Sequence, residues 1–171
     1  MSRHVLSVLV ENQSGVLSRV SGLFSRRGYN IDSLSVGETE DPRVSRMTIV
    51  VKGDDYILEQ IKKQLNKLID VIKIVEVNPE QSVFRELALI KVRTSMETRA
   101  SIIEIVSIFR ANIVDVANDT LTVEMTGDES KIEAFINLMN SYGIVEIVRT
   151  GLAAIERGNR QIKNHKKYEG D

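Results

Sequence analysis

The chain has 171 residues, 42% of them apolar and 27% charged, with 23 Lys and Arg set against 24 Asp and Glu. A formal net charge of −1 provides no broad cationic field for nucleic acid or anionic lipid. The lack of cysteine excludes disulfides, thiolate metal sites and a thiol nucleophile. No apolar run approaches the roughly 20 residues needed to span a bilayer. MSRHVLSVLV enters a strand pattern directly, without a signal or transit segment, and a cytoplasmic protein is expected.

The predicted elements begin with a strand over residues 3–10, RHVLSVLV, rich in Val and Leu as if covered on one face. A polar corner, Asn12-Gln13-Ser14-Gly15, leads into a helix whose inner stripe is Val16, Val20, Leu23 and Phe24, with Leu17 beside them. Ser18, Arg19, Ser21, Arg26 and Arg27 take its wet side, and Gly28 ends it. YNIDSLSVG is the second strand, Asp41-Pro42 marks a hairpin loop, and RMTIVVKG is the third strand, with Met47, Ile49 and Val51 alternating. Asp54 and Asp55 open a second helix with inner positions Ile57/Leu58, Ile61, Leu65 and Leu68/Ile69, and VIKIVEV closes the unit.

After an aperiodic segment around Asn78–Ser82 the order recurs. RELALIKV is a strand, Ile102, Ile103, Val106 and Phe109 mark a helix, and ANIVDVA and TLTVEM form a hairpin at Asn118-Asp119. Asp128 starts a helix carrying Ile132, Phe135, Ile136 and Met139, and IVEIVRTG is the last strand. Asn30-Ile31 aligns with Asn112-Ile113 at a shift of 112 − 30 = 82, and Gly53-Asp54 with Gly127-Asp128 at 127 − 53 = 74, the difference falling in the middle hairpin. The expected fold class is α+β: two tandem ferredoxin-like βαββαβ units, each an antiparallel sheet with two helices on one face. The boundaries read as 1–78, a linker at 79–83, a second unit at 84–155, and a polar tail at 156–171 that is solvated and partly disordered.

Chemistry is hard to assemble. The two histidines are His4, at a strand start, and His165, in the tail, and no P-loop, GxSxG, HExxH or GxGxxG is present. KGDDY and TGDES recur at equivalent helix starts, so capping by Asp explains them better than metal or diphosphate binding. RNA binders of the same topology stack bases on aromatics of the first and third strands, and neither unit has any there. The remaining dense polar group is the corner from Asn12 to Gly15. Helix-start N–H groups suit a carboxylate, Gly15 admits a close approach to the backbone, and Asn12 offers a donor and an acceptor. The matching corner of the second unit, VRTSMETRASI, has no glycine. On spacing alone, a connecting turn and a ligand site explain the corner equally well.

The run from ENQSGVLSRVSGLFSRRGYNIDSLSV through VSRMTIVVKGDD, with FRELALIKV and IFRANIVDV further on, resembles the regulatory small subunits of acetolactate synthase (acetohydroxyacid synthase). The resemblance implies an N-terminal ACT domain, which dimerises, and an ACT-like C-terminal domain. It also implies an end-product branched-chain amino acid, typically valine, bound for feedback inhibition between two ACT domains. Asn12, Gly15 and Val16 would contribute from one chain and Asn30 and Ile31 from the other, with Ser14 and Leu17 flanking them. The implied partner is the catalytic large subunit, which the C-terminal unit helps to activate. Thiamine diphosphate, Mg²⁺ and FAD would sit on that subunit and no cofactor on this chain. No nucleic acid and no membrane are expected as partners. The strand pattern agrees on one point. In βαββαβ topology the second strand is an edge, and YNIDSLSV has no Lys or Pro to guard it against pairing. The alternative is a free-standing amino-acid sensor of the same type acting on another partner.

Overall fold

The computed structural model describes residues 2–168. The chain forms two compact units, one built from residues up to Val83 together with Leu152 onward, the other from Phe84–Gly151.

In the first unit the elements run β1 (Ser2–Glu11), α1 (Val16–Arg26), β2 (Ile31–Glu38), β3 (Val44–Gly53), α2 (Asp55–Asn66) and β4 (Val71–Glu76). The sheet order is β2-β3-β1-β4, with every pairing antiparallel, so β2 lies at an edge as the topology predicts. Period-2 alternation sends Leu6, Val8 and Val10 of β1 and Met47, Ile49 and Val51 of β3 to the helix-covered face. There they meet Val16, Val20, Leu23 and Phe24 of α1 and Leu58, Ile61 and Leu65 of α2. The second unit repeats this with β5 (Ser82–Arg93), α3 (Arg99–Ile108), β6 (Asn112–Val116), β7 (Thr120–Gly127), α4 (Glu129–Asn140) and β8 (Ile144–Arg149), in the order β6-β7-β5-β8. Its core joins Ala88, Ile90 and Val92 to Ile102, Val106, Ile132, Phe135 and Met139.

The repeat extends to the irregularities. β1 shifts register against β4 between Leu9 and Val10, and β5 against β8 between Lys91 and Val92. β2 shifts against β3 between Ile31 and Ser33, and β6 against β7 between Ile113 and Asp115. Each pair is offset by 82 (91 − 9 and 113 − 31), the offset carried by the Asn-Ile pair. The helix caps repeat as well: Asp54 accepts the Ile57 N–H at 2.8 Å, and Asp128 accepts that of Lys131 at 2.9 Å, which confirms capping as the reason for both Gly-Asp pairs.

Three expectations are corrected. The strand β1 is covered on both faces, because Val5, Ser7 and Leu9 on the side away from the helices are as buried as the inward residues. What covers them in part is the C-terminal segment, expected to be a solvated tail. Ile162 packs against Leu9 and Val75, and the Leu152 N–H donates to Ser33 Oγ at 2.9 Å. Lys73 Nζ donates to the carbonyls of Lys163 and His165, Lys163 pairs with Glu40, and Tyr168 Oη donates to Glu59 Oε2 at 2.8 Å. From Leu152 onward the chain groups with the first compact unit, while the ninth strand, β9 (Ala153–Glu156), pairs with β5. Finally, α2 ends at Asn66, so Ile69 leaves the inner stripe and is 94% exposed.

Candidate functional site

The corner after β1 is closed by hydrogen bonds from two sides. The Glu11 N–H donates to the Asp70 carbonyl at 2.9 Å, and the Asn12 N–H to the Arg43 carbonyl at 2.8 Å. The Asn12 side-chain amide donates to the Pro42 carbonyl at 2.9 Å and approaches Glu38 Oε2 at 3.4 Å. The corner is thereby fixed to the β2–β3 hairpin on one side and to the α2–β4 loop on the other.

Gly15 is the N-cap of α1 at φ 85°, ψ −12°, in the left-handed region that favours glycine. A glycine cap has no side chain to give the first turn, and that turn holds no acidic residue. This sets α1 apart from α2 and α4, whose first turns are served by Asp54 and Asp128. At the matching place in the second unit, the N-cap of α3 is Thr98, in right-handed conformation, and Arg99 donates to the carbonyls of Ala117 and Asn118. The two corners differ in geometry as they differ in sequence.

Gly15 is exposed, and the space over it is shared with the end of one flexible side chain. A Cβ there would stand 3.0 Å from Nη1 of Arg19. Arg19 is assigned to the wet side of α1 by its periodicity. Its side chain instead folds back over the helix start and donates from Nε to Asp70 Oδ2 at 2.6 Å. Sequence reasoning passed over both members of this pair, because they are 51 residues apart. The signal available was a cation in the opening turn of a helix that lacks any acid there.

The remaining candidates divide. Asn12, Ser14 and Gly15 are exposed at the corner, and Leu17 is 46% exposed on the adjoining turn. The Val16 side chain is buried in the core, so only its backbone faces the corner. Asn30 and Ile31 are elsewhere. Ile31 pairs with Val51, which pairs with His4 at the start of β1, whereas Asn12 follows Glu11, which pairs with Val44. Seven residues of strand, roughly 23 Å at about 3.3 Å each, separate the two groups along the sheet. Within one chain they do not meet. Asn30 Nδ2 donates to Asp32 Oδ1 at 2.9 Å, and the Asp32 carboxyl is lowered by its contact with Lys52.

The histidines are in ion-pair networks. His4 Nδ1 bonds Glu76 Oε1 at 3.0 Å, and Lys62 Nζ donates to Glu76 Oε2 at 3.0 Å. Burial pushes the Glu76 carboxyl up, but the bonds from His4 and Lys62 outweigh it and hold the group below its ordinary value. His165 bonds Glu156. Among the described residues no three His, Cys, Asp or Glu side chains gather as a metal site would require, and no helix is long and apolar enough to cross a membrane.

A tandem pair of βαββαβ units with one glycine-opened corner has the architecture of the ACT type. Residues 6–73 match the family model of the acetohydroxyacid synthase small subunit-like ACT domain, and residues 85–158 that of the small subunit of acetolactate synthase. The chain is 58% identical over 159 residues to the acetolactate synthase small subunit of Mycolicibacterium smegmatis, covering 93% of this chain and 94% of the relative. It is 57% identical to a probable acetolactate synthase small subunit of Archaeoglobus fulgidus over 93% of this chain and 99% of that one. The crystal structure of the Thermotoga maritima small subunit superposes with a TM-score of 0.87 at 48% identity, covering 94% of this chain and all of that one. The chain belongs to the acetolactate synthase small-subunit family, the regulatory subunits of that enzyme, and the free-standing sensor is set aside.

Proposed function

We propose that this regulatory subunit binds a branched-chain amino acid, with valine as the effector, at a site completed by two copies of the chain. Bound effector inhibits the catalytic large subunit, and the small subunit without effector activates it. Under this reading, thiamine diphosphate, Mg²⁺ and flavin would sit on the large subunit and this chain would hold none of them.

The observation that carries this reading is the separation of the candidate residues along one sheet. Asn12 and Gly15 lie at the Glu38 end of edge strand β2, and Asn30 and Ile31 at its other end. Antiparallel pairing of two β2 edges reverses one strand against the other, and so brings the partner's Ile31 end alongside Glu38 and the corner. An unguarded edge favours such pairing, and a two-fold axis yields two equivalent sites.

Titration calorimetry of the full chain with L-valine, L-leucine and L-isoleucine tests the proposal, together with sedimentation at the same concentrations. Saturable binding by a dimer supports it. A monomer that binds none of the three at several millimolar overturns it.

A further inference from the structure

The two units end their first helices in the same way, on different residues. In the first, the Gly28 N–H donates to the Ser25 carbonyl at 3.2 Å and the Tyr29 N–H to that of Phe24 at 3.0 Å. In the second, the Arg110 N–H donates to the Ser107 carbonyl at 3.1 Å and the Ala111 N–H to that of Val106 at 2.9 Å. Donors and acceptors are displaced by the same 82 (110 − 28 and 107 − 25), so one helix stop is built twice. The stop needs a left-handed residue. Gly28 supplies it at φ 68° and Arg110 at φ 53°. A Cβ makes that conformation unfavourable, and among the described residues Arg110 is the one non-glycine residue with positive φ.

The strain has no return inside the chain. Arg110 is exposed, and its guanidinium has no hydrogen-bond or ion-pair partner among the described residues. Strained residues of this kind gather at functional surfaces. The contrast between the units extends along the helix. At the 82-residue offset, Ser21, Arg26 and Arg27 of α1 correspond to Ile103, Ile108 and Phe109 of α3. Ile103 is 41% exposed and Ile108 70%, so α3 turns apolar side chains to solvent where α1 is polar. Ile108, Phe109, Arg110 and Lys131 line one open pocket. Two cations beside an apolar floor complement a carboxylate that neighbours an apolar side chain, and arginine is prominent among the anchors of protein interfaces.

We infer that the outer face of α3, from Ile103 to Arg110, docks the catalytic large subunit, with Ile108 and Arg110 as its anchors. The partner offers an apolar side chain to Ile108 and a carboxylate to Arg110. A second copy of this chain is assigned to the β2 edge by the reading above, and the end of α1 provides neither an exposed isoleucine nor a strained arginine. The inference rests on that reading for the identity of the partner alone.

Titration of the purified large subunit with the full-length small subunit, followed by activation and by direct binding, provides the test. Arg110→Gly should weaken association about tenfold, as for the loss of an interface anchor. Its melting temperature should equal or exceed the parent's, because glycine relieves the backbone. Ile108→Ser should weaken association by a similar factor. Unchanged association in both variants overturns the inference and leaves the effector reading intact. An Arg110→Gly protein that melts below the parent also overturns it, since the side chain would then serve the fold. So does a lower oligomeric state of either variant in sedimentation without the large subunit, because the face would then join copies of this chain. An unmodified protein that does not associate with the large subunit removes the regulatory reading and this inference together.

Discussion

Ile162, six residues before the end of the described chain, is packed against Leu9 of the first strand. The contact joins the C-terminal segment to the middle of the first sheet, on the face opposite the helices. The apolar residues of that face, among them Val5, Leu9, Val50 and Val75, give the first unit a second layer of burial.

A fragment ending near Asn78 keeps the helix-covered core of the first unit but loses this second layer. Such a fragment should melt well below the full chain and bind a hydrophobic dye on its newly exposed face. Ile162→Ala in the full chain should cost about 2 kcal/mol, at the lower end for truncating a buried isoleucine, because only part of its surroundings is core. Urea denaturation checks both. A fragment as stable as the full chain would show that the C-terminal cover contributes little.

Much of this architecture is legible in the sequence because it is local. The Asp54 and Asp128 caps sit beside the N–H groups they serve, the inner stripes follow helix and strand periods, and the 82-residue offset links Asn30-Ile31 with Asn112-Ile113. The cover over β1 is not local. HVLSVLV places Val5, Ser7 and Leu9 on one face and Leu6, Val8 and Val10 on the other, and both faces are small or apolar. The pattern thus signals two-sided burial, but nothing in it says that the second layer arrives about 150 residues later. The segment that supplies it, residues 156–168, is polar apart from Ile162 and Tyr168, so its composition reads as solvent. Likewise Arg19 looks solvated until the chain returns with Asp70.

The edge strand gives a direct test of assembly. Leu34 is a poor probe, since it packs against the core of its own unit, and a charge there would damage the fold as well as the edge. Val36 is 43% exposed on the same strand. Val36→Lys should leave the melting temperature within a few degrees of the parent, shift the protein from dimer toward monomer in sedimentation, and weaken valine binding in proportion. A fully dimeric Val36→Lys protein with normal valine binding would show that copies do not join through β2.

Acid should loosen the first unit through Glu76. Its folded pKa is held below the ordinary value of 4.5. Burial alone would raise it, and the contacts with His4 and Lys62 more than reverse that effect. A depressed carboxylate stabilises the fold fully above its unfolded pKa and loses that contribution as pH falls through the folded one. Stability should accordingly decline from about pH 4.5 downward. Glu76→Gln should be less stable than the parent at pH 7 and show a flatter decline below pH 4.5. Parallel stability–pH curves for the two proteins would assign the acid sensitivity elsewhere.

Gly15→Asp combines three effects at the corner. The position requires φ 85°, which an L-residue adopts at roughly 1–2 kcal/mol. The new side chain meets the Arg19 guanidinium and would pair with it. The same carboxylate would also sit at the positive end of α1. The last two effects oppose the first, so the variant should fold with a modest loss of stability, while its own carboxylate occupies the corner proposed for the effector. Inhibition by valine should disappear and activation of the large subunit should persist. Gly15→Ala separates the contributions, because it keeps the backbone strain and the crowding without the charge, and it should retain part of the valine response. A Gly15→Asp protein that remains fully valine-sensitive would place the effector elsewhere.

The strength of the effect and its reciprocity can be stated in advance. Valine has about eight heavy atoms, and at roughly −0.7 kcal/mol per atom an efficient site gives about −5.6 kcal/mol, a Kd on the order of 0.1 mM. Inhibition requires valine to bind one state of the assembly better than another. Linkage then requires the large subunit to change the valine affinity of the small subunit by the same factor that valine changes their association. A coupling of about 1–3 kcal/mol would appear as a shift of roughly fivefold to 150-fold in the apparent Kd. Calorimetric titration of valine into the small subunit, alone and saturated with the large subunit, measures that factor. Titration of the two subunits with and without valine measures the other. Unequal factors would show that the two titrations do not report the same binding equilibria, and two factors of one would mean that valine regulates catalysis without altering subunit association.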